Sequence, residues 1–123
     1  MKSPHVGMKR VWHAIGYSWK GFRSTWKHEA AFRQELILFV FLIPLAFWLG
    51  DNSVEVIFLI ATLLFVLIVE LLNSAIESVV DRTGHEYHKL SGRAKDQASA
   101  AVLLSFLVAT LIWGGFIFTK LMS

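Results

Sequence analysis

From Leu36 to Leu49 the chain reads LILFVFLIPLAFWL, and from Val56 to Val69 it reads VIFLIATLLFVLIV, two apolar blocks without a charge. A third uncharged stretch runs from Gln97 to Thr119. A helix needs about 20 residues to cross the hydrocarbon core of a bilayer, so only the third block is long enough alone. The first must be extended backward through Ala30, Ala31 and Phe32, with Arg33 and Glu35 interleaved, and the second forward through ELLNSAIESVV. The pattern predicts transmembrane helices at about 30–50, 54–80 and 97–120, with a cytoplasmic loop over 81–96.

Ahead of these spans Trp12, Ile15, Trp19, Phe22 and Trp26 recur at steps of three and four, the spacing of one helical face, while Lys9, His13, Lys20, Ser24 and Lys27 occupy much of the rest. Tryptophans on one side and lysines on the other suit a helix lying in the headgroup plane over about 8–28. Packing against a partner subunit is the alternative use of that face. The expected fold is all-α and integral to the membrane, a single domain of three transmembrane helices plus an N-terminal amphipathic interfacial helix.

Composition supports this reading. Of 123 residues 55% are hydrophobic and 17% charged, more apolar surface than one small soluble core can hide. There is no cysteine, which excludes disulfides, thiolate metal sites and a cysteine nucleophile. The net charge of +3 is unevenly placed. Lys2, Lys9, Arg10, Lys20, Arg23, Lys27 and Arg33 precede the first apolar block, and Arg82, Lys89, Arg93 and Lys95 lie between the second and third. The connection from Gly50 to Glu55 contains Asp51 and Glu55 but no lysine or arginine. Cations flanking apolar spans are retained on the cytoplasmic side, so the N-terminus and the second loop are expected there and the C-terminus outside. Nucleic-acid binding is not expected.

The second span ends unlike an ordinary one. Glu70, Asn73, Glu77 and Asp81 follow at steps of three, four and four, which puts them with Ser74 on a stripe roughly 100° wide. Glu77 and Asp81 fall near the cytoplasmic interface, and Glu70 about 10 Å deeper. A carboxylate at that depth costs several kcal/mol unless it is paired or hydrated, so function or inter-helix bonding is the default reading. Glu70 as a buried structural acid, or Asn73 as packing glue, is the plainer alternative for either residue alone. Carboxylates a turn or two apart at an interface suit Mg²⁺, a hard cation that takes oxygen ligands and commonly brings substrate phosphates with it.

In the loop HEYHKLSGRAKDQ, His85 and His88 have metal-compatible spacing but no third ligand. Lys95, beside Asp96, is placed either to neutralise a phosphate or to anchor the span. No Walker-type glycine loop is present, so a bound nucleotide would need another scaffold.

Taken together, EAAFRQE at 29–35, ELLNSAIESVVDR at 70–82 and EYHKLSGRAKD at 86–96 resemble the bacterial integral-membrane diacylglycerol kinase family, and GYSWKGFRSTW at 16–26 fits its surface helix. The resemblance covers nearly the whole chain. It implies a homotrimer in the bacterial inner membrane that transfers the γ-phosphoryl of MgATP to diacylglycerol, giving phosphatidic acid. Undecaprenol kinases share the ELLN and AKD motifs, but SGRAKD and AAFRQE look like the Gram-negative diacylglycerol enzyme. By this resemblance Glu70 is the general base, and Glu29 and Glu77 are the metal-binding carboxylates. Glu29 and Glu77, with Arg10, Tyr17, Glu86, Tyr87, His88, Lys95 and Asp96, form the nucleotide site, supported by Asn73 and Asp81. Glu70 would meet the lipid hydroxyl, and the implied lipid neighbours are Arg10, Trp19, Arg23, Trp26, Ala31, Glu35, Trp48, Ser99 and Trp113.

Two other classes are open to a short chain with a membrane-embedded glutamate: a proton-coupled transporter and a non-catalytic membrane subunit. Neither needs the basic, polar loop beside several interfacial acids.

Overall fold

The turn after the first span is built by side chains that bond backbone. Asn52 accepts a hydrogen bond from the Glu55 amide at 3.0 Å, and Glu55 accepts one from the Asp51 amide at 2.9 Å. This is a near-reciprocal capping arrangement that satisfies donors a helix start leaves open. Gly50 is required by close approach, since a Cβ there would lie 2.7 Å from Val56 Cγ2 and 2.9 Å from its amide nitrogen.

The computed structural model describes residues 7–82 and 88–123, which form four helices: α1 (Met8–His28), α2 (Ala30–Leu49), α3 (Ser53–Asp81) and α4 (Lys89–Met122). Of these α2, α3 and α4 are long and apolar enough to cross a membrane. The expected all-helical fold of three spans and an amphipathic N-terminal helix is therefore present. One boundary differs. The polar segment 81–96 is a connection only in its first part, because α4 already begins at Lys89. His88 caps it, its Nδ1 accepting from the Leu90 amide at 3.1 Å. The charges that end the apolar block do not end the helix.

The α3 and α4 helices form the main packed pair, with α2 against α3. The core runs through Phe32, Phe39, Ala46 and Leu49 of α2, Leu59, Leu63, Val66 and Leu67 of α3, and Ala109 and Trp113 of α4. Within it Trp113 Nε1 donates to Thr62 Oγ1 at 2.8 Å, and Thr62 Oγ1 donates to the Leu59 carbonyl at 2.6 Å. Both polar groups are thus satisfied where no water reaches them. Pro44 sits inside α2, where its ring removes one helical donor.

Two contacts fix the ends. Lys95 Nζ lies 2.6 Å from Asp81 Oδ1, tying the exit of α3 to the entry of α4. At the far end Lys120 Nζ donates to the Trp48 carbonyl at 2.7 Å and stands 4.7 Å from the centroid of the Trp48 ring. So α2 and α4 run parallel, α3 runs against them, and α1 shares the end at which α3 leaves for α4. Large apolar side chains face outward along the spans, among them Phe41 at 74% and Leu103 at 70% exposure. In water such faces would drive aggregation; hydrocarbon or further copies of the chain suit them.

Candidate active site

The surface helix and the first span are separated by one residue. Glu29, at φ −118° and ψ 104°, is extended between two helices, closing α1 and opening α2. Its amide still donates to the Thr25 carbonyl at 2.9 Å. Arg33, one turn into α2, reaches back and donates from Nη1 to the carbonyls of Trp26 at 2.6 Å and Lys27 at 3.1 Å. These are C-terminal carbonyls that α1 itself leaves without partners. The half-buried Glu29 carboxylate is thereby presented at a fixed corner.

On α3 the predicted stripe forms. Glu70, Asn73, Ser74 and Glu77 are all half-buried, and Asp81 is exposed at the helix end. Asn73 Nδ2 donates to Glu77 Oε1 at 3.4 Å, a long bond that orients the glutamate. Glu35 of α2 faces Glu70 of α3 closely enough for the two carboxyls to interact directly. Glu35 Oε2 and Asn73 Oδ1 are both buried without a hydrogen-bond partner. Orphaned oxygens in the same region are what a built protein core normally avoids.

Between α1 and α2 lies an apolar cavity of about 370 Å³ lined by Trp19, Phe22, Arg23, Trp26, Phe32 and Leu36. It gathers three of the expected lipid neighbours, Trp19, Arg23 and Trp26. Phe22, Phe32 and Leu36 were not singled out from the sequence for the site, because an apolar wall cannot be told from ordinary core without knowing what crosses it. A second cavity, of about 450 Å³, separates α1 from α3 and is lined mostly by small and hydroxyl-bearing residues, including Ser18, Gly21, Thr25, Ser74 and Ser78.

The other expected residues are more scattered. Arg10 and Tyr17 lie exposed on α1, with the Lys20 ammonium 5.8 Å from the Tyr17 ring centroid. Ala31, Asp96 and Ser99 are exposed near the same end. Lys95 is held by Asp81 and not by its neighbour Asp96, and His88 spends Nδ1 on the cap of α4. Glu86 and Tyr87, with His85, lie outside the described residues. Trp48 and Trp113 do not join the cluster: Trp48 is at the far end of α2, and Trp113 is buried against Thr62. A larger cavity, of about 600 Å³, also lies at that far end. Its acids Asp51 and Glu55 bracket the α2–α3 turn, away from the stripe.

Among the described residues no three His, Asp or Glu side chains converge as a ready-made metal cage. The donor set still fits a hard cation, since it consists of carboxylate and amide oxygens of which two have no other partner. A cation held this way would take the rest of its ligands from water or phosphate.

An all-helical chain with three helices able to cross a membrane, half-buried acids on one of them and an amphipathic N-terminal helix belongs to the class of small multi-pass membrane proteins. Residues 16–118 match the prokaryotic diacylglycerol kinase family. The diacylglycerol kinase of Escherichia coli (strain K12) is 50% identical over 113 residues, covering 92% of this chain and 93% of the relative. That of Haemophilus influenzae is 47% identical, covering 92% of this chain and 96% of the relative. That of Pseudomonas aeruginosa is 50% identical over 108 residues, or 88% of each chain. The chain belongs to the prokaryotic diacylglycerol kinase family.

Proposed function

We propose that this lipid kinase moves the γ-phosphoryl of ATP onto diacylglycerol at the surface-helix end of the bundle, using Glu70 as its base. Kinase activity on diacylglycerol follows from the family; the division of labour among residues is our reading. The observation that carries it is the facing Glu35 and Glu70 carboxyls, on the two helices α2 and α3 that leave the surface-helix end, with the α1–α2 cavity lined in part by Leu36, the residue after Glu35. A diglyceride keeps its acyl chains in hydrocarbon and its hydroxyl at the headgroup boundary. With the chains against Trp19, Phe22 and Trp26, the hydroxyl reaches the level of the stripe.

Glu70 accepts the hydroxyl proton as that oxygen attacks the γ-phosphorus. The bond from phosphorus to the β–γ bridging oxygen breaks, ADP leaves with that oxygen, and phosphatidic acid remains. Little covalent help is needed in such a transfer; positioning and charge neutralisation dominate. Glu29 and Glu77 would hold Mg²⁺, which when bound offsets phosphate charge and orients the transferred group. Asn73 orients Glu77. Lys95, held from behind by Asp81, lies where the nucleotide phosphates would arrive, with Arg10, Tyr17, Glu86, Tyr87, His88 and Asp96 as the remaining nucleotide contacts. Support for this division comes from the oxygen-rich stripe of α3, where Asn73 Oδ1 is buried without a partner.

ATP is cytoplasmic, which matches the charge-based orientation: a bacterial inner-membrane protein with its N-terminus inside. The outward apolar faces of the spans are consistent with a homotrimer. Radiolabelled ATP in mixed micelles offering diacylglycerol and undecaprenol side by side tests the acceptor. Label is expected in phosphatidic acid, and preferential labelling of undecaprenol would overturn the reading.

A further inference from the structure

Arginine four residues after a glutamate on a helix normally pairs with it. Arg33 follows Glu29 by four residues, but Glu29 is the extended residue before α2, and Arg33 spends its guanidinium on the Trp26 and Lys27 carbonyls. No Arg33–Glu29 ion pair forms among the described residues. Two consequences follow. The last turn of α1, which buries none of its own residues and rests lightly on the bundle, is pinned to α2 by one side chain. The Glu29 carboxylate, at the extended residue between the helices, is left without the cation its spacing would supply.

We propose that Arg33 is a positioning residue: its guanidinium clamps the end of the surface helix across the Glu29 corner, and so fixes the Glu29 carboxylate, uncompensated, for the metal. The inference rests on the proposed metal role of Glu29. Bridging two carbonyls suits a planar guanidinium on a long stem. A lysine at the same place offers a compact, strongly hydrated ammonium that holds such a geometry poorly.

Because the contact is made with backbone carbonyls, its loss is visible without an activity assay. In purified Arg33→Gln, hydrogen exchange of the amides over 24–30 should quicken about tenfold, while the apolar stretches of α3 and α4 keep their protection. The Mg²⁺ concentration for half-maximal activity should rise about tenfold, with the KM for diacylglycerol nearly unchanged. Arg33→Lys should recover only part of either effect. In a Glu29→Gln background the Arg33→Gln change should add nothing further to the Mg²⁺ requirement, as expected of groups that act through one another.

Unchanged exchange over 24–30 in Arg33→Gln overturns the clamp. Quickened exchange with an unmoved Mg²⁺ requirement overturns its link to Glu29, provided Glu29→Gln alone does shift that requirement. If Glu29→Gln alone leaves the Mg²⁺ titration where it was, the metal role of Glu29 fails first, and the Arg33 inference falls with it. Full restoration by lysine would mean that charge alone, and not the guanidinium geometry, is at work.

Discussion

The two ends of the bundle treat polar groups in opposite ways. At the far end each polar side chain of the α2–α3 turn and the α4 terminus that carries the geometry has a partner: Asn52 with the Glu55 amide, Glu55 with the Asp51 amide, Lys120 with the Trp48 carbonyl and ring. Thr62 and Trp113, deeper in, satisfy each other. At the surface-helix end Glu35 faces another acid, and Glu35 Oε2 and Asn73 Oδ1 are buried without partners. An unpartnered buried oxygen costs roughly 1–3 kcal/mol, more when charged. A membrane protein bears such a cost where a ligand will later supply the missing bonds. Satisfied polarity marks one end here, and unsatisfied polarity marks the end at which we propose the site.

The sharpest way to break this contrast is Glu70→Gln. The amide keeps size and hydrogen bonding but cannot take the hydroxyl proton, so kcat should fall about 10²- to 10⁴-fold. The KM for ATP should change little and assembly should survive, since a neutral amide is cheaper to bury than a carboxylate. Turnover within a few-fold of the parent by an assembled variant would make Glu70 a structural acid. Next in size, Glu29→Gln and Glu77→Gln should each raise the Mg²⁺ requirement by about 10- to 100-fold, the scale seen when groups around a metal are altered. Normal activity with an unshifted Mg²⁺ titration in both would place the metal elsewhere.

The far end should respond in stability and not in chemistry. Trp113→Phe removes one hydrogen bond to Thr62 and should lower resistance to unfolding in detergent by about 0.6–2 kcal/mol, with kcat unchanged. A large loss of kcat in a folded Trp113→Phe variant would return Trp113 to the lipid site and erase the contrast between the ends. Smallest of all, Lys120→Met should cost about 0.5–1 kcal/mol, the worth of an exposed cation–π contact, and leave the lipid specificity as it is.

Much of this was legible in the chain itself. Length and hydropathy of the three apolar blocks fix the spans, and the three- and four-residue recurrence from Trp12 to Trp26 fixes the face of α1. The Glu70–Asp81 stripe is visible because one helix carries it whole. What sequence spacing cannot carry is a meeting between helices. The Glu35–Glu70 encounter joins residues far apart in the chain, and so does the Trp113–Thr62 bond. The early start of α4 at Lys89 was hidden for a different reason: apolar periodicity reports where a helix is in lipid, and α4 begins in water. In the sequence Arg33 looks only like a charge interrupting a span, because its partners are backbone carbonyls that leave no trace in residue type.

The Trp48–Lys120 contact has a consequence for the membrane as a whole. An aromatic ring and an ammonium at one helix end favour the headgroup level and peg the far end there. From Ser53 to Glu70 the rigid α3 then measures about 26 Å, set by a rise of about 1.5 Å per residue. The protein is in effect a depth gauge. In a bilayer with a hydrocarbon core near 30 Å the proposed base, Glu70, would sit just beneath the opposite surface. A thicker bilayer would draw it further under, and a thinner one would lift it into water. Hydrophobic mismatch would thus reach the chemistry directly, and turnover should pass through a maximum as the acyl chains of the host lipid are lengthened.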